Sequence, residues 1–148
     1  MLKKSKKILV GVMMSGLVLV TGVASQHAFA KDNTDSAFNF TFSGNGTAYT
    51  DGSRRKEDSS AVYMKLNSIF DGDPTFAAEV VDGSGNYFAK RYPKVTFAES
   101  TIGRGQYLYN NAYEEKGYGV FVKVRADGTR NTANSTWKAN GVWSPDSL

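Results

Sequence analysis

Cysteine is absent from the chain, and the single histidine, His27, lies near the N-terminus. The body of the protein therefore has no disulfide framework, no Cys- or His-based zinc site, no Cys nucleophile and no Ser-His-Asp triad. No motif calls for a cofactor, so none is expected. Leucine is scarce after residue 30, occurring only at Leu66, Leu108 and Leu148, which argues against long apolar helical stripes. A surplus of charge is missing as well. The 148-residue chain is formally +4, but four lysines (Lys3, Lys4, Lys6, Lys7) stand among the first thirty residues without an acid. From Lys31 onward 14 basic side chains meet 14 acidic ones. A neutral body argues against nucleic acid as a partner, because nucleic-acid binding needs extended phosphate contacts.

What is present begins with an export pattern. Lys3 to Lys7 precede an uncharged apolar run over residues 8–24, and Ala28-Phe29-Ala30 follows. Basic start, apolar run and small residues at −3 and −1 predict a secretory signal peptide over 1–30, cut between Ala30 and Lys31. A retained anchor is the competing reading, since the run has the minimum length for a spanning helix. The Ala-x-Ala site and the polar residues after Lys31 favour removal, with no stable membrane insertion afterwards. The product is expected to be secreted and extracellular, because no lipobox cysteine or C-terminal sorting pattern is seen.

Residues 31–148 suit one domain. They hold eight Phe, eight Tyr, two Trp and eight Val, a balance that favours strands. Phe38, Phe40 and Phe42 alternate along one face of an extended segment. Val62, Met64 and Leu66 do the same, as do Val120, Val122 and Val124 with Phe121, Lys123 and Arg125 opposite. Residues 75–81 and 87–91 flank the turn Asp82-Gly83-Ser84-Gly85-Asn86 and read as a hairpin. Residues 94–98 and 106–109 are two further strands, the second running on towards Tyr113. Trp137, Ala139, Gly141 and Trp143 share a face of a last strand, which is expected to close the sheet. Seven or eight short strands predict an all-β antiparallel sandwich or small barrel. With so little leucine, most aromatic rings are expected in the core, leaving one to three exposed.

Three candidate sites stand against simpler readings. Arg54-Arg55-Lys56 is the one run of three basic residues after residue 30 and lies in a polar stretch, residues 44–59. It can meet a phosphate or other polyanion. Because Glu57 and Asp58 follow at once, a solvated loop is the plainer expectation. Tyr107 and Tyr109, with Tyr113 and Tyr118, can form a stacking platform for a sugar or peptide. Trp143, beside Ser144-Pro145, is placed at the rim of the core and is a binding candidate if it proves dispensable for stability. Asp71-Gly72-Asp73-Pro74 lacks the later ligands of a calcium loop and reads as a turn, so no metal site is expected. No particular carboxylate pair stands out as catalytic.

The exported start, Phe38-x-Phe40-x-Phe42, the Arg-rich stretch at Arg54, residues 62–66, the tyrosine stretch ending at Tyr113, the strand from Val120 and Gly141-Val142-Trp143 fall in a recognisable order. Together they resemble a family of small secreted proteins of unknown function from Gram-positive bacteria. A bacteriocin of the lactococcin 972 kind is also small, exported and β-rich, but its histidines and Gly-Gly-x-Trp pattern are missing here. The resemblance implies an exported all-β protein and transfers no functional residue. The expected function is non-catalytic binding to an extracellular protein or cell-surface polymer. A secreted antibacterial or immunity-associated factor and a small carboxylate-dependent hydrolase are the alternatives.

Overall fold

The computed structural model describes residues 33–70, 74–129 and 135–148. The signal segment with its Ala30–Lys31 junction and the Asp71-Gly72-Asp73 turn lie outside the described residues. Among these, nine strands form: β1 (Ser36–Ser43), β2 (Thr47–Tyr49), β3 (Arg54–Lys56), β4 (Val62–Phe70), β5 (Phe76–Asp82), β6 (Val95–Phe97), β7 (Gly105–Leu108), β8 (Val120–Gly128) and β9 (Thr136–Ser144). A short helix, α1 (Ala112–Lys116), connects β7 to β8.

The strands build two antiparallel sheets packed face to face, the sandwich that the alternation predicts. One sheet runs β1-β9-β4-β7. The other runs β2-β8-β5-β6, with β3 pairing β8 further along. Inward positions recur at every second residue: Phe38, Phe40 and Phe42 on β1, Val62, Met64 and Leu66 on β4, Val122, Val124 and Ala126 on β8. Between the sheets the rings interlock. Phe42 stacks on Trp137 at 4.0 Å between centroids, Phe76 meets Phe42 at 5.7 Å, and Phe97 lies parallel to Phe76 at 5.0 Å. The Trp137 indole N–H donates to the Gly44 carbonyl at 3.0 Å, so its one polar atom is satisfied while fully buried.

Gly141 allows β9 its central place. A Cβ there would lie 2.0 Å from the Lys65 carbonyl oxygen and 2.7 Å from the Phe38 ring, so any side chain would force β9 away from β4. In β4 the register slips between Leu66 and Ser68, and this bulge at Asn67 lets the strand continue to Phe70.

Several expectations change at this level. The last strand does not close the sheet as an edge; β9 lies between β1 and β4. Trp143 is not at the rim but 1% exposed. The glycine-rich turn after β5 exists, held by the Asp82 carboxylate accepting from the Ser84 and Asn86 amides at 2.8 Å. The chain after it does not return as a strand at 87–91; β5 pairs instead with β6, through Phe76 and Phe97. Past β7 the chain turns into α1, so Tyr113 is helical. The polar stretch 44–59 contains β2 and β3 rather than forming one loop.

Aromatic burial also differs from expectation. Tyr49, Phe70, Tyr87, Tyr107, Tyr109, Tyr118 and Phe121 are exposed, well beyond one to three rings. Among the described residues every fully buried ring is Phe or Trp and no tyrosine is fully buried, which spares the phenols a buried hydrogen-bond partner; Phe70 and Phe121 are the phenylalanines that remain exposed.

Candidate functional site

On β4 the inward residues Val62 and Met64 leave Tyr63 pointing outward, and on β7 the inward Leu108 does the same for Tyr107. The register sets Tyr63 directly opposite Tyr107, and their rings lie 5.8 Å apart at an interplanar angle of 59°. Gly105 makes room for this arrangement. A Cβ at that position would stand 2.5 Å from the Tyr63 ring, so only glycine lets the phenol lie across β7.

The two rings border a groove of about 460 Å³, lined also by Asn33, Asp35, Ser144, Asp146 and Ser147. Tyr107 is half exposed. Burial raises the Tyr63 phenol above its ordinary pKa, and the negative Asp35 nearby adds to the shift. The phenol therefore remains protonated as a donor. Aromatic faces beside a carboxylate and an amide can stack on a ring and receive hydrogen bonds from hydroxyls.

The groove floor is held from β3. Lys56 and Asp146 are both fully buried, and the Lys56 ammonium donates to the Asp146 carboxylate at 3.0 Å and to the Pro145 carbonyl at 2.8 Å. The Glu57 amide also donates to both Asp146 oxygens, at 3.3 and 3.1 Å. Burial raises the Asp146 carboxyl above its ordinary value; the Lys56 ammonium and Glu57 amide oppose that rise. The Ser147 amide donates to Ser60 Oγ at 2.9 Å, completing the attachment of the segment after β9.

The structure therefore divides the basic run. Arg54 is half-buried; its Nη1 donates to the Thr34 carbonyl at 2.5 Å and the Trp143 carbonyl at 3.2 Å, with the guanidinium 5.6 Å from the Trp143 ring. Arg55 points to solvent over Tyr118. Lys56 is inside. Pairing with β8 imposes the alternation that a solvated loop would lack. The tyrosines separate too. Tyr107 is in the groove, Tyr109 sits 6.3 Å from Tyr92 beyond β7, and Tyr118 donates to Glu57 at 3.0 Å. They form no single platform: β7 ends at Leu108, just before Tyr109, and α1 carries Tyr113 and separates it from Tyr118. Trp143 is core and beneath Arg54, so it presents no face to a ligand.

Sequence reasoning missed Tyr63, Asp35 and Asp146 at the groove. Tyr63 was legible as outward-facing, but nothing local tied it to Tyr107. A second cluster also escaped notice, on the outer face of β5 and β8. Glu79, 7% exposed, is paired by Arg91 at 2.8 Å and Lys94 at 3.1 Å. Lys94 also bonds Asp127, which accepts from Arg125 at 3.0 Å and Thr47 at 2.6 Å. Burial alone would raise Asp127, but Lys94, Thr47 and Arg125 outweigh it and hold the carboxyl below its ordinary value. Arg91 and Arg125 both lie over the Tyr87 ring. Among the described residues no three His, Cys, Asp or Glu side chains gather closely enough to hold a metal ion.

Fold and groove together define an antiparallel β-sandwich of nine described strands with a tyrosine-lined surface site. Residues 26–147 match the family described as Protein of unknown function (DUF2712), and the chain belongs to that family. No curated protein and no solved structure matches it.

Proposed function

We propose that the protein is a secreted, non-catalytic binding protein of Gram-positive type, and that the Tyr63–Tyr107 groove takes a sugar-bearing polymer outside the cell. The pairing of two tyrosine rings across β4 and β7, beside Asp35, carries this reading. The rings offer apolar faces for a pyranose, and Asp35 and Asn33 offer partners for its hydroxyls. The basic start, apolar run and Ala28-Phe29-Ala30 support export.

The test is retention on isolated Gram-positive cell walls. Tyr107→Ala removes a half-exposed ring, so it should abolish retention while leaving the melting curve unchanged. Wild-type retention by this variant would take the groove out of the function. A killing assay on the same strains separates binding from an antibacterial role.

A further inference from the structure

Every β-sheet with free edges exposes unpaired backbone donors and acceptors that can template another strand. In this sandwich most edge-lying strands are very short. β2, β3 and β6 have three residues each and β7 has four. β1 differs. It has eight residues, pairs β9 over its whole length without a bulge, and among the described residues no strand pairs its other edge. Its sequence, Ser-Ala-Phe-Asn-Phe-Thr-Phe-Ser, contains no charge, proline or glycine. It has no charge, proline or bulge to blunt that edge.

The strand is also close to a palindrome by residue class. About Phe40, Phe38 mirrors Phe42, Asn39 mirrors Thr41 and Ala37 mirrors Ser43. Residues directly opposite in an antiparallel pair lie on the same face. Two copies of β1 related by a twofold axis through Phe40 would therefore set Phe opposite Phe on the buried side. Small polar residues would face one another outside, and no like charges would meet along the seam.

We infer that β1 is a homodimerisation edge, pairing antiparallel with β1 of a second copy and joining two four-stranded sheets into one of eight. An unrelated extended peptide could use the same backbone groups, but it would not account for the mirror pattern about Phe40.

Sedimentation of the full chain across a wide concentration range should show a mass that doubles with concentration. Asn39→Lys/Thr41→Lys alters two exposed side chains and places four lysines along the seam. It should stay monomeric at every concentration and melt like the wild type. The chain has no cysteine, so introduced thiols report register directly. A mixture of Asn39→Cys and Thr41→Cys chains should cross-link on oxidation severalfold more than either alone, because those positions oppose each other across the twofold axis. A wild-type monomer at all concentrations, a dimer that survives the double lysine variant, or cross-linking without preference for the mixture would each overturn the inference.

Discussion

The molecule contains two charged clusters that solve opposite problems. Lys56 and Asp146 are sealed from water beneath the groove, whereas Glu79, Arg91, Lys94, Arg125 and Asp127 form a network at the surface of β5 and β8. The buried pair has lost its hydration and depends on near-complete substitution by protein. The ammonium reaches the Asp146 carboxylate, a carbonyl and, at 3.8 Å, the Asp58 carboxylate, and Asp146 also receives a backbone amide. In the outer network Arg91 and Lys94 keep part of their surface exposed, and buried Glu79 has two cations, so either one is replaceable. Charges of the same kind thus act as a structural fixture in one place and as an adjustable coating in the other.

Breaking the buried pair has the largest expected effect. Lys56→Met leaves the Asp146 carboxylate buried without its cation and should cost about 3–5 kcal/mol in urea unfolding at neutral pH. The loss should shrink as pH falls, because a protonated carboxyl can be buried more cheaply. Lys56→Met/Asp146→Asn sharpens the point. It removes both charges but keeps an acceptor for the Glu57 amide, so it should recover more than half of the loss. A double variant as unstable as the single one would mean that packing around the lysine stem, or the Asp58 carboxylate 3.8 Å from its ammonium, matters more than the Asp146 charge.

The surface network should show itself through pH before it shows in any single deletion. Asp127 is held below its ordinary pKa, so its contribution is complete above the unfolded value of about 3.9 and is lost as pH falls through the folded value. Asp82, held low by the Asn86 and Ser84 amides against burial, behaves alike. Asp146, held high, has the opposite sign: its contribution is present at low pH and is lost as pH rises through its folded value. Unfolding free energy measured from about pH 5 down to about pH 2 should therefore fall less steeply in Asp127→Asn than in the wild type. An unchanged slope would show that the network contributes nothing to acid sensitivity. The smallest effect is expected from Arg91→Ala. Its guanidinium is about half exposed and Lys94 still pairs with Glu79, so the cost should stay within about 1 kcal/mol.

The same contrast explains what could be read from residue order. Phe38, Phe40 and Phe42 face inward because a period of two puts them there, whatever strand lies beside them. The Asp82 turn was legible because its hydrogen bonds close within four residues. Tyr107 was visible as a candidate. Its partnership with Tyr63, 44 positions earlier, depends on which strands pair and in what register. Tyr109 and Tyr113 misled for the same reason, since the spacing of tyrosines cannot reveal that β7 ends at Leu108 or that α1 takes up Tyr113.

Residue order by itself therefore determined the all-β class, the inward faces of β1, β4, β8 and β9, and the exclusion of cysteine and histidine chemistry after residue 30. Those properties are local: composition and a period of two are enough to specify them. Tertiary structure decided that Lys56 is buried rather than solvated, that Trp143 is core, and that Tyr63 shares a groove with Tyr107. Each of these depends on strands distant along the chain coming into register. Lys56 and Asp146 are 90 residues apart, and only the packing of β3 against the segment after β9 makes them partners.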